Sequence, residues 1–385
     1  MDKEKKQHTF KSVIKSIFNS IKKVLNNGIF IYIVKRIGRS LVTLIFLIMV
    51  VISLIRAVPD KQLYDLNTYS RLAGQSIAAA DAYKTKQLFK YGRYDIDGNP
   101  ISLVQTIGQY LYWMSPIPKK VPITWDLNWE YPIDYWEGTI FLGISMETLQ
   151  PVSVVLKERI GISMVVSLTA VVFVYLFAYP MGVSMAKKPG GTVDKIGSAF
   201  IVLNYAIPAL VFFLLMNNIL GRPDGPFGFA NFSYFYIAGR PITLVPAIFS
   251  IVFLTIPATA LWVRRFMVDE LSNDYVKFAR SKGLSETRIM YTHVLKNAMI
   301  PLIRNIPAVF IASIIGSYFV EMIWLIPGTG NLMVSALRAP RPNVPVIQGL
   351  TVVYSLLSMS AFLLGDIATA LYDPRIKLVS KKGDI

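Results

Sequence analysis

The chain has 385 residues, 54% of them hydrophobic, and a mean hydropathy of +0.48, a composition that points away from soluble domains and toward a multi-span membrane protein. It contains no cysteine and only two histidines, His8 and His293, which excludes a disulfide framework, a cysteine metal site and a histidine-rich metal centre. The net charge is +17, but the Lys and Arg residues mostly flank apolar runs, a pattern of membrane orientation and not of nucleic-acid binding.

Residues 1–35 form a basic N-terminal segment. Within it Phe10, Val13, Ile14, Ile17, Phe18, Ile21, Val24 and Leu25 recur at helical spacing, with Lys11, Lys15, Lys22 and Lys23 on other faces. That is an amphipathic helix, either lying on an anionic lipid surface or packed on a partner subunit. The first apolar run, 37–58, lacks a small-residue cleavage site after it and reads as a retained anchor over 36–58. An insert of about 100 residues outside the membrane follows, 59–158. Its Asp95 to Pro100 stretch is turn-rich. Its 110–136 stretch holds four Trp, which suit a small subdomain core, interfacial anchors or an aromatic ligand surface.

Five further runs, 160–185, 196–220, 242–263, 299–325 and 346–372, are each long enough to cross a core about 30 Å thick. They make 159–372 a membrane core of five helices, followed by a tail over 373–385. Pro208, Pro246, Pro257 and Pro307 fall inside runs and mark kinks. The sequence therefore predicts an all-α membrane protein of six transmembrane helices, with an amphipathic N-terminal helix and an extracytoplasmic insert between the first two spans. Lys and Arg crowd the N-terminal segment, the second-to-third connection, the fourth-to-fifth connection and the tail, which predicts cytoplasmic placement of both termini.

No phosphate loop, zinc-protease, nucleophile-elbow or calcium-loop pattern occurs, so an active site within this chain is not expected. The loop over 264–298 is distinctive instead. Ser272 and Asn273 are helix starters. A helix through Tyr275, Ala279 and Arg280 meets Gly283, a residue suited to the left-handed conformation that stops helices. Ser285 then suits the cap of a second helix carrying Arg288. The spacing predicts a helix, a sharp turn and a helix on the cytoplasmic face.

The segment Tyr275-Val-x-x-Ala-Arg-x-Lys-Gly-Leu-Ser285, with His293-x-Leu-x-Asn-Ala298 and Pro301, resembles the coupling loop of the dipeptide/oligopeptide/nickel group of ABC-importer permeases. Glu321-x-x-x-x-x-Pro-Gly-x-Gly330, Pro345-Val-x-Gln-Gly349, Asp373-Pro-Arg-Ile376, Gly143-x-Ser145, Pro151-Val152 and Arg159 are similar to further markers of that family. The resemblance covers about 141–378 and the first span. Two departures stand out. Lys277, Phe278 and Ala279 replace the general Glu-Ala-Ala start, and Pro59-Asp60-Lys61 replaces the usual Pro-Gly-Asp-Pro after Arg56.

The resemblance implies the type I importer fold and one permease subunit of an ATP-driven importer of oligopeptides or dipeptides in the bacterial cell membrane. It implies a second homologous permease, two cytoplasmic ATPases that bind ATP and Mg, and an extracytoplasmic peptide-binding protein. No cofactor is expected on this chain itself. Residues matching the coupling helix are Asp274, Tyr275, Ala279, Arg280, Lys282, Gly283 and Leu284, within a 273–290 contact loop. Import of nickel or another small solute keeps the same architecture. An ATPase-independent secondary carrier and a membrane-anchored receptor are the rivals of other classes.

Charges at membrane depth are costly and are paired or functional. Arg304 follows the start of the fifth run by five residues and Asp366 precedes the end of the sixth by six, so equal depth predicts a pair. The same argument couples Arg56 and Glu321 near the outer face. The alternative places one of these groups on the transport pathway. Met164, Met181, Met216, Met322 and Met333 serve packing or an adaptable substrate surface.

Overall fold

The computed structural model describes residues 28–95, 98–125, 132–338 and 342–372. The amphipathic stretch at 10–25 and the tail, with its Asp373 to Ile376 signature, lie outside the described residues. An apolar slab offers backbone amides no water, so the long runs close their hydrogen bonds internally as helices.

Helix α1 spans Gly28–Arg56. The insert then forms α2 (Leu66–Ala73), α3 (Ile77–Phe89) and α4 (Leu103–Met114), followed by the antiparallel hairpin β1 (Lys119–Trp125) and β2 (Pro132–Gly138). The hairpin gives the insert a small β element beside its helices. Its signal was present in the alternation of Val121, Ile123 and Trp125 with Lys120, Pro122 and Thr124. Leu63, Tyr64, Leu88 and Tyr91 of the insert share a buried cluster with Val344, at the start of the last helix.

The membrane core comprises α5 (Val152–Ala186), α6 (Thr192–Ala206), α7 (Ala209–Gly221), α8 (Val245–Leu271), a short surface helix α9 (Asp274–Ser281), α10 (Leu295–Gly316), α11 (Tyr318–Ile323), α12 (Thr329–Arg338) and α13 (Val344–Tyr372). Five helices among the described residues are long and apolar enough to cross a membrane, and the α6–α7 pair makes a sixth if counted as one span. Exposed apolar residues such as Val42, Phe46 and Leu54 on α1 and Leu168, Val172 and Leu176 on α5 would promote aggregation in water and are ordinary against lipid.

The third run is not one straight helix. It bends by 95° between α6 and α7. The cause is local. Ile207 precedes Pro208 and is extended (φ −86°, ψ 118°), as pre-proline sterics favour. Pro257 inside α8 lacks the amide that would bond the Phe253 carbonyl. The Asn204 amide of α6 donates to that carbonyl at 3.3 Å, replacing the missing bond. The fifth run likewise breaks, with α10 ending at Gly316 and α11 continuing from Tyr318.

Helices α5 and α8 cross at close range. A Cβ on Gly182 would lie 2.7 Å from the Ala260 carbonyl oxygen and 2.7 Å from the Val263 Cβ. Val166, Ala170 and Val174 of α5 pack there with Ala247, Ile251 and Ala260 of α8 and with Val320 and Trp324. Gly182→Val is expected to force the two backbones apart and to destabilise by about 1–3 kcal/mol, read as a lower midpoint of thermal unfolding in detergent. Gly161→Ala, in the same helix with open space around it, is the control. An equal loss in both variants would remove the close-crossing explanation.

Candidate coupling surface and the charges at membrane depth

Helix α9 is held by its inner face and free on its outer one. Val276 and Ala279 are buried with Val183 and Ala186 of α5, Val263 and Met267 of α8, and Ile289, Met290 and Val294 of the following turn. Asp274, Lys277, Phe278 and Arg280 are exposed. The helix stops by a Schellman turn: the Gly283 amide donates to the Arg280 carbonyl at 2.9 Å and the Leu284 amide to the Ala279 carbonyl at 3.3 Å. Gly283 has φ +74°, and a Cβ there would meet nothing within 4 Å. Its requirement is therefore conformational, not steric. Lys282 is the residue before it, and Leu284 packs back on the same buried cluster.

The return segment begins at Ser285, whose hydroxyl accepts the Arg288 amide at 3.4 Å. Across the turn Arg280 pairs with Glu286 through two bonds of 2.8 and 3.2 Å. Residues Ile289–Val294 then form a wide π-helical stretch leading into α10, a geometry common at functional positions. Asn273 starts α9 without a side-chain cap. Its amide instead donates to Glu270 at 2.9 Å, and the Tyr275 hydroxyl donates to the same carboxylate oxygen at 2.6 Å. A cleft of about 880 Å³ beside them is lined by Glu270, Tyr275, His293, Lys296 and Asn297 among others.

Sequence reasoning missed the contact that ties this surface to the core. Arg264, near the end of α8, makes a two-pronged pair with Asp194 in the first turn of α6, one bond being 2.6 Å. Asp194 is buried and also accepts the Gly190 amide at 2.8 Å. The available signal was a lone carboxylate among Lys187, Lys188 and Lys195 at a helix start.

The four intramembrane charges divide. Arg304 lies 3.3 Å from Asp366, and Arg36 pairs with the same carboxylate. Asp366 is 6% exposed and Arg304 62% exposed. Arg56 and Glu321 do not pair. Equal depth is insufficient because each finds other partners closer at hand. Arg56 donates to the Gly92 carbonyl at 3.0 Å and to the Ile101 carbonyl, docking the insert on α1. Arg93 returns the contact, donating to the Val58 carbonyl at 2.6 Å at the end of α1.

Glu321 is fully buried and accepts four hydrogen bonds. These come from Ser163 Oγ at 2.7 Å, Ser317 Oγ at 2.8 Å, the Gly330 amide at 2.7 Å and the Asn331 amide at 3.0 Å. The last two amides open α12, so the carboxylate sits where a helix N-terminus favours negative charge. Gly328 is required in the turn between them, because a Cβ there would overlap Glu321 and Ser163. The spacing from Glu321 to Gly330 is thus one folded unit.

A second cavity, about 620 Å³, opens between α8 and α10. Its wall includes Tyr175, Thr255, Thr259, Trp262, Asn305 and Ser313, and its lining holds no charged side chain. None of the four intramembrane charges lines it.

Fold and surface together define a multi-span helical membrane protein that presents one short, rigidly backed helix at the membrane face. Residues 178–378 match the family described as binding-protein-dependent transport system inner membrane component. The chain belongs to that family. It is 34% identical over 224 residues to the oligopeptide transport system permease protein AmiC of Streptococcus pneumoniae serotype 4, covering 57% of this chain and 43% of that relative. It thus spans less than half of AmiC's length. It is 32% identical over 244 residues to the dipeptide transport system permease protein DppB of Lactococcus lactis subsp. cremoris, covering 63% of this chain and 76% of that one. Among solved structures, an inward-facing MetNI methionine ABC transporter chain superposes with a TM-score of 0.45 at 16% identity, over 57% of this chain and 97% of that chain.

Burial, with the Glu270 hydrogen bond second, pushes the Tyr275 hydroxyl up to about 12 from its ordinary 10.0. A raised folded-state value favours the neutral phenol, so its contribution to the loop is complete below pH 10 and is lost as pH rises through about 12. Glu270→Gln is expected to lower the Tyr275 value, measured by NMR titration of a ring-labelled Tyr275. An unmoved titration would assign the shift to burial alone. In Glu321→Gln the new amide must face backbone donors, and the expected cost is about 2–4 kcal/mol. Thermal unfolding indistinguishable from wild type would contradict the capping role of the carboxylate.

Proposed function

We propose that this chain is the transmembrane permease subunit of an ATP-driven importer of oligopeptides or dipeptides in the bacterial cell membrane, forming half of the translocation pathway. The observation that carries the reading is α9. Its buried face is fused to the ends of α5, α8 and α10, while its outer face is presented by a Gly283-stopped turn. A helix so mounted passes a push at the surface to three membrane helices at once. The residues assigned to coupling are Asp274, Tyr275, Ala279, Arg280, Lys282, Gly283 and Leu284, of which Tyr275, Ala279 and Leu284 act through their seat on the buried cluster. Both termini face the cytoplasm in this reading, in keeping with the Lys and Arg distribution.

The partners are two cytoplasmic ATPases, which bind ATP and Mg, a second homologous permease and an extracytoplasmic binding protein. Peptide cargo is supported by the similarity to AmiC, an oligopeptide transport system permease protein, and to DppB, a dipeptide transport system permease protein. The uncharged cavity between α8 and α10 is the best candidate for this subunit's share of the pathway wall, since hydroxyl, amide and aromatic groups meet a peptide backbone without selecting its side-chain charge.

The test is co-purification of ATPase subunits from native membranes in mild detergent. Wild type is expected to bring them down. The double variant Gly283→Pro, Arg280→Glu is expected to lose them while keeping its elution volume. Absence of any ATPase with wild type would count against the coupling reading and favour an ATPase-independent carrier. Peptide uptake that persists without ATPases would decide for the carrier.

A further inference from the structure

A groove of about 650 Å³ runs between α1 and α13, with Arg36 and Arg39 at one end. Its depth can be placed from helix geometry. Arg36 and Arg56 stand twenty residues apart on α1, about 30 Å of helix, which is the thickness of a bilayer's hydrocarbon core. The two arginines therefore mark its two boundaries. The groove extends along α1 from Arg36 to Leu47 and along α13 from Phe362 to Thr351, about 16 Å on each helix. That is the depth of one leaflet. Beyond it the helices close, with Ile48 and Ile52 packed on Val352 and Tyr110.

The walls suit a hydrocarbon chain. Leu44, Leu47, Met359 and Phe362 are apolar. The hydroxyls of Thr351, Ser355 and Ser358 each donate to their own helix's carbonyls at 2.7–2.8 Å, so they make no demand on an occupant. The end of the groove suits an anion. Arg36 and Arg304 share the single carboxylate of Asp366, and Arg39 is exposed beside them. Among the described residues, Arg36, Arg39 and Arg304 outnumber the one carboxylate at this end of the groove. Guanidinium matches phosphate by shape as well as charge, and basic pockets between membrane helices take anionic headgroups.

We propose that this groove holds one acyl chain of an anionic phospholipid, whose phosphate sits against Arg36 and Arg39 in the leaflet on the N-terminal side. The groove ends about halfway through the membrane, which matches the reach of one acyl chain in one leaflet. The site is independent of the transported cargo and of ATPase coupling.

The experiment is native mass spectrometry of the delipidated complex containing the full chain, titrated with dioleoyl phosphatidylglycerol or dioleoyl phosphatidylcholine. Phosphatidylglycerol is expected to bind the wild type about fivefold more tightly, the equivalent of about 1 kcal/mol for one surface cation. Arg39→Gln is expected to erase that preference, and Arg39→Lys to keep it. Ser358→Phe, which fills the groove, is expected to lower binding of both lipids. Glycerol 1-phosphate at millimolar concentration is expected not to compete, and competition would indicate a free phosphate site in place of a lipid site. Equal affinity for the two lipids in wild type would overturn the headgroup assignment. Full retention by both Arg39→Gln and Ser358→Phe would overturn the location. Because the chain has no cysteine, a Ser355→Cys variant supplies a check that does not depend on the filled groove folding. Phosphatidylglycerol is expected to protect it from a maleimide. A cross-link from it to another subunit in the presence of that lipid would make the occupant a protein and sink the proposal.

Discussion

A carboxylate buried in a membrane protein must be answered by the protein, because no water is at hand and the uncompensated charge is expensive. Glu321 meets that constraint without any cation among its described hydrogen-bond partners, and the elements around it are arranged accordingly. Its four donors come from α5, from the α10–α11 junction and from the first amides of α12. Ser163 also accepts the Thr329 amide at 2.8 Å. One side chain thus fixes three elements, and the path of the chain between α11 and α12 follows. Ile326 returns its amide to the Glu321 carbonyl at 2.8 Å, and the turn passes so close to the carboxylate that only Gly328 fits. Removing the charge would leave donors aimed at one another, which is why a hydrophobic replacement at this position is a poor substitute.

The same logic governs the opposite end of the core. Asp366 is answered by two arginines and Asp194 by one. Asp194 also takes the amide of Gly190, so the connection between α5 and α6 is tied to the end of α8. Helix α9 rests on the ends that this pair holds together. Its two buried side chains, Val276 and Ala279, are short and join the apolar cluster at the ends of those helices. A surface helix seated this way shares one buried cluster with α5, α8 and α10, and close-packed interiors transmit strain.

The membrane helices were legible because hydrocarbon imposes a length and an apolar content that sequence carries directly. Gly283 was legible for the same kind of reason: the stop it makes depends on its own backbone freedom. Contacts between elements were legible only in part. Depth along a helix follows from counting residues, and counting brought Arg304 level with Asp366. Direction around the helix, and the presence of nearer acceptors, do not follow from counting. Arg56 therefore went to carbonyls of the insert instead of to Glu321. The bend at Ile207 was readable as a proline mark but not as 95°, since the angle depends on how α7 packs under Phe253. The β1–β2 hairpin had a period-two pattern but lay in a Trp- and Tyr-rich stretch where composition dominated the reading.

Engaging these four charges structurally has a consequence for the cavity between α8 and α10. Arg56, Glu321, Arg304 and Asp366 are engaged elsewhere, and the cavity keeps only neutral groups. A fixed charge on a transport wall would hold an oppositely charged cargo and repel the opposite case, whereas passage requires binding weak enough to release. Neutral hydroxyl, amide and aromatic groups give modest interactions with any peptide backbone, through hydrogen bonds that are worth little net because water offers the same. Under the import reading, such a wall conducts without choosing. Discrimination among cargoes then has to be made before they reach it, by a component that closes around its ligand and buries it, where unpaired polar groups become costly enough to reject the wrong one.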